Sequence, residues 1–326
     1  MKDFSSLVTE GVTREPINII IHAKQKTGKT SLADSAESVL FVTAEESENV
    51  KSKKLPKCKS WDDFIEQLTF LRDSDYIEKN GIKNIAIDTI DTFESLLHDK
   101  ILKSCPEYPK YSESMAKCHG GYSNSYGMAT RVFTDLVNNY LARIREEKNV
   151  GMIYLCHSAL NKVESPSMMG SFDQFQLKLH RTSKGIGAYS VMSEWVNVIA
   201  YLDVENYKHK DEKTKKEYAI SDGHRVLHFG SDPAYESGNR FHFHNDVKLS
   251  SNPKFNNFKL ITDMIDDYYK NEENPDEKLI LEEINSLILK ITDKEVQAKV
   301  KANVEDVGND LARLQKARDY IKSILV

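Results

Sequence analysis

The sequence predicts an α/β protein whose central sheet is mostly parallel and covered by helices on both faces. Short, apolar, β-branched runs alternate with segments of helical spacing, as expected when crossover helices join parallel strands. After residue 196 the pattern changes to period-two stretches separated by charged turns, which predicts an antiparallel hairpin extension with an exposed tip at 208–217. The predicted core strands are 17–21, 39–42, 85–87 and 151–156.

The segments between these strands divide into helices and long loops. The spacing of Trp61, Phe64 and Leu68 places apolar side chains on one face of a helix. Two polar segments, 103–127 and 158–187, have no apolar period and are predicted to be long loops. Similar apolar spacing elsewhere completes the set of predicted core helices, which are 29–38, 61–71, 92–102 and 129–147.

The end of the chain is predicted to form a small helical appendage. Asn274-Pro275 fits an N-cap followed by a proline at the first helical position. Thr292-Asp-Lys-Glu295 fits a capping box that opens another helix. Amphipathic spacing at 279–291 and 309–325 is consistent with helices there. We therefore expect two parts, a core of residues 1–270 and a helical appendage of residues 271–326.

The charge balance limits how the protein could bind nucleic acid. The chain has 326 residues, and its 45 Lys+Arg and 50 Asp+Glu give a formal net charge of −5. A protein that coats nucleic acid through bulk charge would be basic, so any such surface must be local. The segment 271–326 has twelve acidic and nine basic residues and therefore carries −3 of the total. The core is nearly neutral, which leaves a local cationic surface possible.

Composition also predicts the compartment. No apolar run approaches the roughly 20 residues that cross a bilayer, and residues 1–10 lack the apolar stretch of a signal peptide. The cysteines at positions 58, 105, 118 and 156 have no CxxC spacing and are predicted to be free thiols in a reducing compartment. We expect a cytoplasmic protein without a membrane partner. If the protein is made inside a host cell, the compartment is the cytoplasm of that host.

The most specific motif runs from Ala23 to Thr30 and fits a phosphate-binding loop with alanine in place of the first glycine. It lies between a predicted strand and a predicted helix, which is the context that the motif requires. In such a loop, backbone N–H groups wrap the phosphates, Lys29 binds the β- and γ-phosphates, and the Thr30 hydroxyl holds Mg²⁺. A lysine-rich surface turn is the alternative. The predicted ATP-binding residues are Ala23, Lys24, Gln25, Lys26, Thr27, Gly28, Lys29, Thr30 and Ser31.

Further polar residues follow the other predicted strands. Asp88 ends an apolar strand, where a carboxylate can reach Mg²⁺ through water. Glu45 and Glu46 follow the strand after the loop, where an acid can deprotonate the attacking water; a helix-start acid is the alternative. His157 follows the next strand and would face the γ-phosphate, the alternative being a buried histidine with satisfied hydrogen bonds.

The segments AKQKTGKT, FVTAEE, IAIDT and IYLCHS, in that order, resemble the RecA-type ATPases, in particular short phage proteins that carry the recombinase core and act in single-strand annealing. The resemblance covers about residues 15–270 and implies a RecA-like P-loop NTPase core. It implies that Glu45 is the catalytic acid, with Glu46 as the alternative. It also places His157 where recombinases usually have a glutamine that senses the γ-phosphate.

The same resemblance implies a role for Arg240 as an arginine finger that acts in trans on a neighbour's nucleotide. It implies that 103–127 and 158–187 are DNA-binding loops, and both contain aromatic residues among lysines, a combination suited to stacking on single-stranded bases. Ordinary loops packed on the core are the alternative. The predicted nucleic-acid-binding residues are Lys162, Lys178, Arg181 and Lys184, and the predicted catalytic residues are Lys29, Glu45, Glu46, Asp88, His157 and Arg240.

These observations predict a Mg²⁺-dependent, DNA-stimulated ATPase that binds single-stranded DNA, assists annealing or recombination, and works as a homo-oligomeric ring or filament. A single-strand-binding or replication protein is a further expected partner. One alternative is a nucleotide-gated binding module with slow or no hydrolysis, which recruits its partner through the helical tail. A P-loop kinase for a small metabolite is another.

Overall fold

The computed structural model describes residues 12–46, 48–111, 113–164, 170–182, 187–210, 217–252, 254–273, 275–291, 293–307 and 311–324. The chain divides into two compact units. The core unit is Glu15–Thr262, and the C-terminal unit combines Met1–Arg14 with Asp263–Val326. The predicted boundary at residue 270 falls inside helix α8 (Asn257–Glu273).

The core unit is built around a mostly parallel sheet. Its strands are β1 (Asn18–Ala23), β2 (Val39–Thr43), β3 (Lys53–Lys54), β4 (Asn84–Asp88), β5 (Gly151–Glu164), β6 (Ser171–Leu177), β7 (Val198–Lys210), β8 (Glu217–His228), β9 (Gly238–Asn239) and β10 (Val247–Leu249). Among the described residues the strand order is β10-β8-β7-β1-β5-β4-β2-β3. All neighbours from β7 to β3 are parallel, whereas β8 and β10 extend the sheet in antiparallel orientation. The predicted fold class is therefore confirmed.

Helices connect and cover the strands. Those of the core unit are α1 (Lys29–Asp34), α2 (Trp61–Asp73), α3 (Tyr76–Lys79), α4 (Ile90–Lys103), α5 (Asn124–Leu136), α6 (Ala142–Glu147), α7 (Ala188–Trp195) and the start of α8. A π-helical turn, Val137–Leu141, joins α5 to α6. The predicted helix 129–147 is thus three consecutive segments and begins earlier than predicted, at Asn124.

Buried apolar residues explain why the core strands form where the sequence predicts them. Every residue of β1, β2 and β4 is buried, as expected for parallel strands covered on both faces. Phe64 of α2 stacks on Phe93 of α4 with ring centroids 3.8 Å apart, in one hydrophobic cluster with Ile85 and Ile87 of β4. Burial of each such side chain contributes roughly 1.5–3 kcal/mol to stability. This packing holds α4 in place, and the first turn of α4 carries several residues of the site described below.

The two segments predicted to be long loops are partly ordered as regular structure. In 158–187, the outer half of β5 pairs antiparallel with β6, from Ser158↔Leu177 to Glu164↔Ser171. The loop prediction is wrong there because β5 continues past the edge of the sheet, and its backbone groups bond to β6 instead of a core strand. In the other segment, turns follow α4 and lead into α5. The central part of the predicted hairpin tip, residues 211–216, lies outside the described residues.

Two of the four cysteines form a disulfide. Cys105 and Cys118 are 13 residues apart in sequence, and their Cα atoms lie 5.8 Å apart. The prediction of free thiols is wrong for this pair because the turns between α4 and α5 bring them together, which a search for CxxC spacing cannot detect. Cys58 and Cys156 are free and buried, and burial raises the pKa of the Cys58 thiol to about 12.

The C-terminal unit contains the rest of α8 together with α9 (Pro275–Ile288), α10 (Lys294–Val307) and α11 (Leu311–Ile324). Pro275 is the first residue of α9, as predicted. Asp293 caps α10, because its Oδ1 accepts the Glu295 N–H at 2.9 Å. Asn274 and Thr292 lie outside the described residues. The unit has its own apolar core, formed by Ile280, Ile284, Ile288, Ile291, Val300, Leu314 and Ile321.

None of the helices in the described parts of the chain combines the length and apolarity that crossing a membrane requires.

Candidate nucleotide-binding site

The candidate site lies at the carboxyl edge of the sheet, defined here by Ala23, Thr43, Asp88 and His157. The β5 strand lies between β1 and β4, so that Ala23 pairs with His157 and Asp88 pairs with Leu155. Thr43 of β2 is in turn opposite Asp88. Parallel strands end at the same edge of a sheet, which is why residues distant in sequence meet there.

The phosphate-binding motif forms the turn from β1 to α1. Gly28 precedes the helix with φ 103°, a conformation that only glycine adopts without strain. Lys29 is buried, and its Nζ donates to the carbonyl oxygens of Ala23 and Lys24, both at 3.3 Å. Burial lowers the pKa of Lys29, although the negative charge of Asp88 opposes the shift. The ammonium group is thus held inside the loop whose backbone would surround the phosphates.

The remaining residues of the predicted loop are a half-buried threonine and four exposed residues. The Thr27 hydroxyl donates to the Lys24 carbonyl at 2.9 Å and closes the turn. Lys24 is exposed, and its Nζ lies 4.3 Å from the ring centroid of Phe175 on β6. The other three predicted residues, which are Gln25, Lys26 and Ser31, are exposed.

Thr30 and Asp88 form the candidate Mg²⁺ site. The Thr30 hydroxyl donates to Asp88 Oδ2 at 2.8 Å. Burial raises the pKa of Asp88 to about 6, and the hydrogen bond from Thr30 opposes this shift. A hydroxyl and a carboxylate are oxygen ligands of the kind that Mg²⁺ prefers, and a carboxylate this deeply buried is stabilised by a cation. The residues therefore fit a Mg²⁺ ion.

Glu45 is fixed beside this pair by Thr89, the residue before α4, and by Thr92 in the first turn of that helix. The hydroxyls of Thr89 and Thr92 both donate to Glu45 Oε1, at 2.8 and 2.9 Å. The Glu45 backbone N–H donates to Thr43 Oγ1 at 3.0 Å, which holds the turn after β2. Glu46 is exposed and forms an ion pair with Lys57, so the structure does not bring it to the site. Of the two acids predicted from the sequence, only Glu45 faces the carboxyl edge.

His157 is held by a buried acid on α4 that the sequence analysis does not identify. Its backbone N–H donates to Asp91 Oδ1 at 3.0 Å, and its ring Nδ1 lies 2.9 Å from Asp91 Oδ2. Burial alone would raise the pKa of Asp91, but the hydrogen bonds and charge of His157 lower it overall. An ionised carboxylate only accepts hydrogen bonds, so Nδ1 carries the proton. Lys178 Nζ lies 3.9 Å from the same carboxylate.

The second turn of α4 connects the site to the segment after β6. Glu94 is buried and accepts the His180 N–H at 2.9 Å. Burial raises the pKa of Glu94 to about 7, and the charge of Asp91 acts in the same direction. The His180 ring stacks on Tyr126 of α5 with centroids 3.9 Å apart. One helix therefore contacts both His157 and the chain that follows the β5–β6 hairpin.

The three predicted nucleic-acid-binding cations that lie in the described part of the chain do not form one free patch. Lys178 lies beside the buried acid of α4, and Arg181 pairs with Glu236 at 3.3 Å. Lys162 is exposed on the outer half of β5. Lys184 lies outside the described residues. Two of these cations thus face acids of the core unit.

Arg240 lies at the opposite edge of the sheet from the phosphate-binding loop. Its backbone N–H donates to the carbonyl of Asn197, the residue before β7, at 3.0 Å. Its guanidinium donates to the Glu194 carbonyl at 2.6 Å. Ala23, in contrast, is at the carboxyl end of β1. The structure does not bring Arg240 to the site of its own chain.

Several residues at the site are missed by sequence reasoning. Thr89, Asp91 and Thr92 lie one, three and four residues after Asp88, and polar residues at this spacing beyond an acidic strand end are the signal that could have identified them. Arg225 of β8 reaches Gly28 from two strands away, and no local pattern predicts this contact. The sequence motif is enough to locate the phosphate-binding loop. The residues that contact the loop from other strands depend on the tertiary structure.

The family described as AAA domain matches residues 15–241 of the chain. The matched region begins before β1 and ends after β9, so it includes every site residue described above. No curated protein matches the chain.

Proposed function

The chain belongs to the AAA domain family of P-loop ATPases, and we propose that it is a Mg²⁺-dependent ATPase of the RecA type that binds single-stranded DNA and assists annealing or recombination. The observation that carries the proposal is the meeting of Lys29, Thr30, Asp88 and Glu45 at one edge of the sheet. These groups supply a phosphate cation, two oxygen ligands and a base, which together are the requirements for attack of water on a γ-phosphate.

Binding of ATP rests on the loop and on Lys29. Backbone N–H groups between Ala23 and Lys29 surround the phosphates, and the ammonium group of Lys29 binds their charge. The Thr30 hydroxyl and the Asp88 carboxylate, 2.8 Å apart, would hold Mg²⁺. An ion held there would supply positive charge to the phosphate oxygens, on which negative charge develops during the reaction.

Glu45 acts as the general base. Two threonine hydroxyls bind its Oε1, which fixes the carboxylate and leaves Oε2 to accept a proton from water. The same hydroxyls disfavour rotation of the side chain toward solvent. Water held by Oε2 would lie over the carboxyl edge, the side from which the γ-phosphate is attacked.

His157 senses the γ-phosphate. Asp91 binds its Nδ1, so that Nε2 is the ring atom left to face the phosphate. When both ring nitrogens are protonated, Nε2–H donates to a phosphate oxygen and the Asp91 carboxylate balances the imidazolium charge. In this proposal His157 has the role of the glutamine that senses the γ-phosphate in the RecA-type recombinases.

Exposed aromatic and cationic residues support the proposed binding of single-stranded DNA. Tyr122 is 99% exposed and Tyr108 is 57% exposed in the turns between α4 and α5. Lys110 and Lys117 lie in the same turns and are also exposed. Aromatic rings stack on bases of any sequence, and lysines neutralise the phosphates. Lys162 on the β5–β6 hairpin adds a further exposed cation.

The test is ATP hydrolysis by the wild-type chain, measured with and without single-stranded DNA at fixed Mg²⁺. The proposal predicts hydrolysis that requires Mg²⁺ and rises when DNA is added. A chain that neither hydrolyses ATP nor binds single strands contradicts it. Binding of ATP with no hydrolysis in either condition would instead favour the nucleotide-gated binding module.

A further inference from the structure

Arg225 occupies the space that glycine leaves open in the phosphate-binding loop. A Cβ built on Gly28 would lie 2.2 Å from Arg225 Nη1, 3.3 Å from Cζ and 3.4 Å from Cδ. The separation from Nη1 is shorter than van der Waals contact allows, so a side chain at position 28 would displace the guanidinium from this place. The cation therefore lies against the residue that precedes Lys29.

The antiparallel extension delivers Arg225 to the carboxyl edge. Arg225 of β8 is opposite Val204 of β7. Val204 is three residues beyond Tyr201, which pairs with His22 near the end of β1. The neighbours of Arg225 in β8, Val226 and Leu227, are buried and anchor the strand. The side chain consequently projects from a fixed strand at the level of the phosphate-binding loop.

The guanidinium of Arg225 has no counter-ion within the described part of the chain. No hydrogen bond or ion pair among the described residues involves it, although it is partly buried. Among the described residues, the other buried or partly buried arginines of the core unit are paired, Arg72 with Asp73, Arg145 with Glu15 and Arg181 with Glu236. A partly buried cation that lies against the phosphate-binding loop and has no acidic partner among the described residues gains stability when an anion binds there.

We propose that Arg225 is a second phosphate-binding cation of the ATP site, acting on the nucleotide of its own chain. This inference rests on the proposed function, because the anion that it names is the triphosphate. A guanidinium can donate two parallel hydrogen bonds to phosphate oxygens, which Lys29 as a point charge cannot do. The assignment differs from that of Arg240, which lies at the far edge of the sheet and could act only on a neighbour.

The test compares ATP binding in the presence of Mg²⁺ for wild type, Arg225→Ala and Arg225→Lys. We expect Arg225→Ala to weaken binding about 10- to 100-fold, the loss typical of a hydrogen-bonded charge. Arg225→Lys keeps the positive charge but lacks the planar guanidinium, so its affinity for ATP should lie between those of wild type and Arg225→Ala. Arg143→Ala removes an exposed arginine of α6 that pairs with Glu147 at 2.7 Å, and it serves as the matched control with unchanged affinity.

Thermal unfolding of each variant separates loss of the cation from loss of the fold. If folded Arg225→Ala binds ATP as tightly as wild type, the inference is wrong. If wild type itself binds no ATP, the proposed function fails first, so the two failures are distinguishable. An Arg225→Lys variant as weak as Arg225→Ala, in a folded protein, would still show that the planar guanidinium is required.

Mixing Lys29→Ala with Arg225→Ala, at an ATP concentration that saturates the wild type but not Arg225→Ala, tests whether Arg225 acts within its own chain. Lys29→Ala lacks a working loop, and Arg225→Ala lacks the second cation. If Arg225 served a neighbouring chain, mixed oligomers would contain a site with both groups and hydrolysis would return. We expect no recovery on mixing, and recovery would overturn the assignment to the chain's own nucleotide.

Discussion

The Asp91 carboxylate accepts two hydrogen bonds from His157, one from the backbone N–H at 3.0 Å and one from ring Nδ1 at 2.9 Å. This double contact ties the end of the buried part of β5 to the first turn of α4. It fixes both the position of His157 and the ring nitrogen that carries its proton. Asp91 is therefore a positioning residue whose effect on catalysis is exerted through His157.

We expect Asp91→Asn to lower the rate of ATP hydrolysis about 10- to 100-fold, since the amide cannot balance an imidazolium and its NH₂ group competes as a donor to the ring. A double-mutant cycle with His157→Ala gives the check. If Asp91 acts through His157, the double variant should be no slower than His157→Ala alone. Independent, multiplying effects would show that Asp91 has another role.

Glu45→Gln should slow ATP hydrolysis by roughly 100- to 10,000-fold while leaving ATP affinity nearly unchanged. Glutamine keeps an oxygen that can accept from Thr89 and Thr92, but it cannot take a proton from water. Single-turnover hydrolysis and equilibrium binding separate the two effects. Glu46→Gln is the comparison, because that side chain pairs with Lys57 in solvent. The assignment of the base to Glu45 is contradicted if Glu46→Gln is the slower variant.

The buried Glu94 should make stability fall as pH rises from about 4.5 to about 7. Its pKa is raised from 4.5 to about 7, so in that window the unfolded chain loses the proton and the folded chain keeps it. The effect on the free energy of unfolding is up to about 3 kcal/mol and persists above pH 7. The glutamine of Glu94→Gln cannot ionise and can still accept the His180 N–H. This variant should therefore lack the fall in the free energy of unfolding between pH 4.5 and about 7 that Glu94 causes. Urea unfolding at several pH values measures the free energy of unfolding of wild type and Glu94→Gln. The same dependence on pH in both proteins would contradict the prediction.

Tyr122→Ala should weaken binding of single-stranded DNA by about 5- to 100-fold, the loss expected when one base loses its stacking partner. The ring is almost fully exposed, so its removal should leave the thermal stability unchanged. Fluorescence anisotropy of a labelled single strand measures the affinity. Tyr320→Ala, which removes a 60% exposed tyrosine of the C-terminal unit, is the matched control. Equal affinities of the two variants would exclude a stacking role for Tyr122.

Features encoded in short stretches of sequence could be predicted. The parallel strands could be predicted because they are apolar runs, as strands buried over their whole length must be. The phosphate-binding loop could be predicted from the fixed spacing of Gly28, Lys29 and Thr30. Asp88 could be placed near Thr30 because parallel strands end at one edge of a sheet. These predictions need only the local sequence pattern and the rule that parallel strands end at one edge of a sheet.

Features that depend on long-range contacts could not be predicted. Arg225 lies at the loop because β8 follows β7 in the sheet, and nothing near it in sequence indicates that neighbour. The disulfide depends on how the turns after α4 close. Sequence pattern alone offers both Glu45 and Glu46, and the structure distinguishes them, because Thr89 and Thr92 bind Glu45 whereas Glu46 pairs with Lys57. The β6 strand forms because β5 extends beyond its neighbours.

The central claim is that the loop with Lys29 binds and hydrolyses ATP. The most direct measurement is the rate of phosphate release from ATP with Mg²⁺ for wild type, Lys29→Ala and the control Lys83→Ala, which removes an exposed lysine paired with Glu37. We predict that Lys29→Ala lowers the rate at least about 100-fold, because a preorganised charge at the phosphates is lost, and that Lys83→Ala matches wild type. Hydrolysis by Lys29→Ala at the wild-type rate would contradict the account.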